Sequence, residues 1–193
     1  EDIQELISPT VNEIKDIMGL DPQKSIVYLC GKNLNDDNIK YADNAARALM
    51  ANPDVIADSY IRSRIKKMIN KRIRDAKIGV LDVRGNFQII SGDLYALCES
   101  MFGLEAHGLL KAGELYSKYW KDNNVERVMC ARAPMSNEHS LVSQDVCYSD
   151  NAEYWFKYMD TVVVVNAWDT MPMALNGFDF DGDLLFTTDS KPL

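Results

Sequence analysis

Asn176-Gly177-Phe178-Asp179-Phe180-Asp181-Gly182-Asp183 is the stretch from which the rest of this 193-residue chain is best read. Three aspartates stand at alternate positions, with a glycine just before the third. In a strand, alternate side chains share a face; in a tight loop, a glycine lets the backbone turn the carboxylates inward. Either geometry gathers three hard oxygen ligands around a space for one cation. Mg²⁺ suits such a set, because it takes carboxylates and water and keeps positions open for substrate phosphate. Asp179, Asp181 and Asp183 are therefore the candidate metal ligands. Without a cation, three like charges this close repel one another. An acidic surface turn is the plain alternative. Against it, Phe178, Phe180, Leu184, Leu185 and Phe186 crowd the acids, and unpaired carboxylates beside a packed core are costly.

Two other metal or phosphate motifs fit less well. A calcium-binding EF-hand loop needs glycine at its sixth position and an acid at its twelfth. Counted from Asp179, those places hold Leu184 and Ser190. Residues 178–185 are also similar to the first motif of haloacid-dehalogenase-like phosphatases. That motif follows a buried strand and depends on a Ser/Thr, a Lys and further acids downstream, whereas ten residues follow Asp183. A phosphatase-like hydrolase and a non-catalytic barrel that serves as a binding module stay as the alternatives.

The Asp-x-Asp-Gly-Asp loop resembles that of the two-barrel RNA polymerases. These include multisubunit DNA-dependent enzymes, the cellular RNA-dependent enzymes of RNA silencing, and single-chain phage relatives. Arg132-Ala133-Pro134 resembles the Arg-x-Pro element that precedes the metal loop in that superfamily. Gly79-Val80-Leu81-Asp82 through Gly92-Asp93 is similar to a Gly-Val-x-Asp segment of the silencing-type enzymes. Together these span residues 78–190. The resemblance implies an α+β chain, with a helical region over 1–77 and a double-psi β-barrel over 78–193 carrying the metal loop. It implies Mg²⁺ held by the three aspartates, and transfer of a nucleotide from a nucleoside triphosphate to an RNA 3′-hydroxyl with a second Mg²⁺ on the leaving pyrophosphate. It places Arg132, Pro134 and Asn176 at the substrate, Arg132 meeting a ribose hydroxyl or a phosphate; an internal salt bridge is the alternative for that residue. Asn176 sits one residue further from the first Asp than the multisubunit pattern has it, and Gly177 matches the silencing type instead. His139 stands later after the proline than the family pattern expects. The superfamily also implies a companion barrel bearing catalytic lysines and an RNA or DNA template, and no counterpart of those lysines is found here. The chain starts at Glu1 without Met and stops soon after its metal loop, so the expectation is a piece of a longer protein, inactive alone.

A net charge of −8 argues against a general nucleic-acid binder. The longest β-branched run, Val162 to Val165, is far below the roughly 20 residues a membrane helix needs. Cys30, Cys98, Cys130 and Cys147 lack metal or redox spacing and read as small core residues of a cytoplasmic protein.

Taken in order, residues 1–20 read as a helix interrupted or started at Pro9, and Ile26 to Cys30 as a short strand. A turn over 33–38 precedes a helix from about Asn38 to Met50, capped by Asp36 or Asp37. Pro53 opens a helix to about Lys77. Ile61, Ile65, Met68, Ile69, Ile73 and Ala76 form its apolar stripe, and Arg62, Lys66, Lys67, Lys71 and Arg74 stand among the basic residues covering the rest. This is either a solvated face or a surface that tracks phosphates without regard to sequence. Strands are expected at 78–81 and 87–90 around a hairpin turn at Arg84-Gly85-Asn86. A short helix through Leu94, Leu97 and Met101 follows, capped by Ser91 or Asp93. His107 is expected to be structural, and Gly108 to Trp120 is ambiguous. Val125 to Cys130 is a barrel strand delivering Arg132. Asn151 to Met159 is a helix capped by Asp150, with Trp155, Phe156 and Met159 inward. Thr161 to Ala167 is the most buried strand, and Leu184 to Phe186 the last.

Overall fold

The computed structural model describes residues 2–30, 42–136 and 140–191. The chain divides into two compact units, one up to Asp82 and one from Val83 to Lys191.

The first unit is helical: α1 (Asp2–Met18), α2 (Pro22–Cys30), α3 (Asn44–Ala51), a 3₁₀ turn (Pro53–Ala57) and α4 (Ser59–Lys77). α1 runs through Pro9 without a break. The expected strand at Ile26–Cys30 is instead part of α2. Asp21 accepts from the backbone of Lys24 at 3.0 Å, and Pro22 takes the first helical position, where a missing N–H costs nothing. The third helix starts at Asn44, capped by Asp43, which accepts from Ala45 N; Asp36, Asp37 and the expected turn lie outside the described residues. The helix expected from Pro53 is divided at Asp58, whose carboxylate caps α4 through Tyr60 N and Ile61 N. Ile61, Ile65 and Ile69 face Ile17, Ala45 and Leu49 in a common core, as the stripe predicts.

Residues 78–81 do not form a strand. Ile78 ends α4 and is 79 % exposed, and Gly79 follows with φ +90°. Nor is there a hairpin at Arg84-Gly85-Asn86. The second unit is a closed six-stranded barrel whose pairings reach far along the chain: β1 (Asn86–Gly92), β2 (Glu114–Tyr116), β3 (Arg127–Ala131), β4 (Leu141–Val146), β5 (Val162–Val165) and β6 (Leu184–Thr188). Their order around the barrel is β1-β5-β2-β4-β3-β6. Two neighbouring pairs are parallel, β1 with β5 and β2 with β4; the other four are antiparallel. Parallel neighbours need crossing connections. Together with the helical first unit this gives the α+β barrel architecture expected from the sequence.

Short helices fill the connections: α5 (Leu94–Met101), α6 (Lys118–Asp122), α7 (Asp150–Phe156) and α8 (Met171–Ala174). Asp93 is buried and caps α5 through Tyr95 N and Ala96 N, while its other oxygen receives Leu109 N and Leu110 N. The short helix expected through Leu94, Leu97 and Met101 is present; those three residues are exposed and Ala96 is its buried member. Cys98 shares that outer surface, contrary to its expected core role, and Cys30 is half-buried; Cys130 and Cys147 are buried, which pushes both thiols up. His107 is exposed beside Glu105.

The barrel interior holds Ile90, Leu115, Trp120, Val128, Cys130, Val146, Val163, Val165 and Leu185. Val164 points the other way, into a second cluster with Tyr116, Cys147, Ala152 and Phe156. β5 is thus covered on both faces, which is why it reads as an unbroken valine run. α7 begins at Asp150 after Ser149, and Trp155 is 57 % exposed rather than inward, lying edge-on to Tyr95 at 5.3 Å.

Glu153 on α7 joins this second cluster to α6, accepting from Tyr116 Oη at 2.9 Å and Lys121 Nζ at 2.5 Å. Those two donors hold its carboxyl below the ordinary value of 4.5, Lys121 first. With the folded-state value depressed, the stabilisation is present above pH 4.5 and is lost as pH falls below it. Glu153 is 40 % exposed, so solvent screens the pair; Glu153→Gln should lower the melting temperature at pH 7 by a few degrees at most, under about 1 kcal/mol. In thermal melts the gap from wild type should close as pH drops below about 4; a gap independent of pH would contradict this account.

Candidate metal centre

The three aspartates lie on the connection between α8 and β6. α8 ends in a left-handed pair, Asn176 (φ +60°) and Gly177 (φ +64°), with Gly177 N bonded back to Pro172 O. Phe178 then plunges into the barrel core, 5 % exposed. That buried ring anchors one end of the loop. The other end is held where Asp183 O accepts from Ile90 N, joining the loop to β1. Between these anchors, Gly182 adopts φ +118°, a conformation that side-chain-bearing residues rarely take. The turn brings Asp179 N to within 3.2 Å of Asp183 Oδ2.

The result is a cluster in which carboxylate oxygens of Asp179, Asp181 and Asp183 lie within 4.8 Å of one another. Asp179 and Asp181 are exposed and Asp183 is partly covered. The acids thus sit on the surface of the loop, not within the core as their apolar neighbours suggest. Phe180 is 59 % exposed and Leu184 53 %; Phe178 and Leu185 do the burying. Phe180 packs on Phe178, and its ring would meet a side chain added at Gly92 at 3.2 Å.

Two neighbours treat the acids differently. Asp181 is pushed up from the ordinary carboxylate value, first by a hydrogen bond shared with Asp179 and then by that residue's charge. Arg132 holds Asp183 down, chiefly through a direct charge-assisted bond, Nη2 to Oδ2 at 2.7 Å. Both partners of that pair are mostly covered, with side chains 19 % and 23 % exposed. Arg132 Nη1 also donates to the carbonyls of Leu175 and Asn176 at 3.4 Å each. The internal salt bridge offered as an alternative for Arg132 is therefore present, and its partner is itself one of the clustered acids.

β3 delivers Arg132 to this position, and the cis Ala133–Pro134 bond follows it. Asn176 Nδ2 donates to Pro134 O, and Asn176 Oδ1 accepts from Ser136 Oγ at 2.7 Å. Arg132, Pro134 and Asn176 thus belong to one hydrogen-bonded corner beside the acids. His139 lies outside the described residues. A groove of about 540 Å³ opens against this corner, lined by Phe87, Met135, Leu184 and Phe186 as well as Arg132 and Asp183. Sequence reading missed its floor. Phe87 and Ile89 alternate with the buried Gln88 and Ile90, a signal that was available in the period-two pattern.

The phosphatase alternative requires a buried strand leading into the first aspartate. Residues 171–174 form α8 instead, and a turn follows. The five basic residues expected at a nucleic acid, Arg62, Lys66, Lys67, Lys71 and Arg74, stand on α4 in the helical unit.

No protein-family model matches the chain. It is 27 % identical over 186 residues to a DNA-directed RNA polymerase, YonO, of Bacillus phage SPbeta, covering 95 % of this chain and 21 % of that protein. In structure it superposes on an RNA-dependent RNA polymerase, QDE-1, from Thielavia terrestris, with a TM-score of 0.63 at 12 % identity. That match covers 97 % of this chain and 22 % of the other. The chain therefore spans about a fifth of the length of either protein. The resemblance to the two-barrel RNA polymerases read from the sequence is borne out in fold.

Proposed function

We propose that this chain is the metal-bearing barrel of a template-directed RNA polymerase, a nucleotidyltransferase that works as part of a longer protein. The observation that carries the reading is the convergence of three carboxylates on a glycine-closed loop with Arg132 bonded to one of them. The likeness to a phage polymerase supports it.

The donor set suits a hard divalent cation such as Mg²⁺: three carboxylates, two of them open to solvent, with no thiol or imidazole in the cluster. Bound by Asp179, Asp181 and Asp183, that ion would make an RNA 3′-hydroxyl more acidic and neutralise charge on a triphosphate. The protein's own share is positioning. Arg132 locks Asp183 in one orientation, and its fork carries five N–H donors, more than its present contacts use. It also lines the groove, and there its free donors would bond a ribose hydroxyl or a phosphate of the nucleoside triphosphate. Asn176 and Pro134 hold that corner in shape. A companion barrel would supply phosphate-holding lysines, and an RNA or DNA template would complete the assembly.

The test is incorporation of labelled nucleotide by the full-length protein with and without divalent ions. Arg132→Ala should raise the KM for nucleotide and lower kcat, costing about a hundredfold in kcat/KM. Arg132→Lys should recover only part of the loss, because an ammonium cannot make the forked contacts. Full activity in Arg132→Ala would remove this residue from the site.

A further inference from the structure

α4 carries eight of the chain's 21 basic residues and one of its 29 acids. The helix treats its cations in two ways. Arg64 is paired with Asp43, and Arg72 with Glu13 and Asp82. Arg62, Lys66, Lys67, Lys71, Arg74 and Lys77 have no ion-pair partner among the described residues. Acids abound in this chain, so six cations left without them on one helix form a pattern that solubility alone does not require. Arg62 also stands in the first turn, against the helix dipole, and Arg62/Lys66 and Lys67/Lys71 are like-charge neighbours four apart. An external polyanion would relieve each of these costs.

The face is more specific than a charge count. Tyr60, 66 % exposed, precedes Lys67, Lys71 and Arg74 by seven, eleven and fourteen residues. At 3.6 residues per turn these four line up as one ridge about 21 Å long, while Lys66 and Arg62 stand roughly 120° and 160° round the helix from Tyr60. An aromatic ring at one end of a cationic track is the arrangement that receives single-stranded nucleic acid, the ring stacking on a base and the cations following the phosphates. We infer that the outer face of α4 is a sequence-tolerant site for single-stranded RNA or DNA, with Tyr60 as its stacking platform. This deepens the polymerase reading by naming a place other than the acid cluster where a strand is held, yet it rests on separate residues.

The probe is a short fluorescent oligouridylate and its matching duplex, titrated with the 193-residue chain over a salt series and read by anisotropy. The wild-type chain should prefer the single strand, with affinity falling steeply as salt rises. Reversing three charges, Lys66→Glu, Lys67→Glu and Lys71→Glu, should flatten the log–log salt dependence by about two, at about 0.7 for each phosphate no longer neutralised. Should that variant lose its helical circular dichroism, the Lys→Gln triple variant gives the same readout with less perturbation. Tyr60→Ala should weaken binding about tenfold with the salt slope unchanged, and Tyr60→Phe should restore it. No binding at low salt, duplex bound as tightly as single strand, or folded charge variants that bind like wild type would each overturn the inference. Asp181→Ala should leave this binding intact, so failure here and failure of the polymerase reading are told apart.

Discussion

Asp181→Ala in the full-length protein should lower nucleotide addition by at least about a thousandfold while leaving the barrel as stable as before, or slightly more so. The two halves of that expectation have one cause. Asp181 is exposed and is held against Asp179, whose hydrogen bond and charge push it up from the ordinary carboxylate value. Removing it takes away a repulsion, so the fold loses nothing. A site that gathers like charges at a cost to stability and needs them for activity is the usual form of that trade. The loss in rate follows from breaking a set of cation ligands worth several kcal/mol of charge stabilisation. Asp181→Asn, which keeps the shape and one oxygen, should lose nearly as much. Incorporation of labelled nucleotide and a thermal melt on the same preparations check both parts. Wild-type activity in either variant removes the catalytic reading; a large fall in melting temperature would mean that the acids are structural.

Trp120→Ala should be the most damaging single change to the fold. The indole is fully buried in the barrel core, donates from Nε1 to Thr187 Oγ1 at 2.7 Å, and lies edge-on to Tyr119 at 4.9 Å. Arg84 covers it, with the guanidinium carbon 5.6 Å from the ring centre. Truncation leaves a cavity and should cost about 3–5 kcal/mol, a large part of the roughly 5–15 kcal/mol that a domain has to lose. The melting temperature should fall by more than about 10 °C. Trp120→Phe refills most of the space and loses the indole hydrogen bond. Thr187 Oγ1 still has Asn86 O within 3.2 Å, so that variant should lose only about 1–2 kcal/mol. An Ala variant that melts like wild type would show that the barrel is not built on this ring.

How much of this is legible in the sequence depends on how local each signal is. The amphipathic stripe of α4, the cap at Asp93 and the valine strand β5 are readable, because each is written within one element. The metal loop is readable too, since glycine and three acids at fixed spacing define it. α2 reads as a strand if the apolar run Ile26 to Cys30 outweighs the helix-start signature Asp21-Pro22 before it, and the cap decides otherwise. The hairpin expected at 84–86 fails for a different reason. β1 pairs with β5 and β6, some 70 to 100 residues away, and nothing local announces such partners. Trp155 is expected inward because it is apolar, whereas a short helix over a barrel buries only a narrow stripe, here Ala152 and Phe156 on α7. The bond from Arg132 to Asp183 likewise needs the fold, since 51 positions separate them in the sequence.

The central claim is that Asp179, Asp181 and Asp183 hold a divalent cation beside Arg132. Replacing that cation with Fe²⁺ in the full-length protein and generating hydroxyl radicals would cut the backbone next to wherever the ion sits. The account predicts cleavage concentrated around residues 179–183 and 132, suppressed by excess Mg²⁺ and lost in Asp181→Ala. Cleavage elsewhere, or cleavage at this loop that neither Mg²⁺ nor Asp181→Ala diminishes, would contradict it.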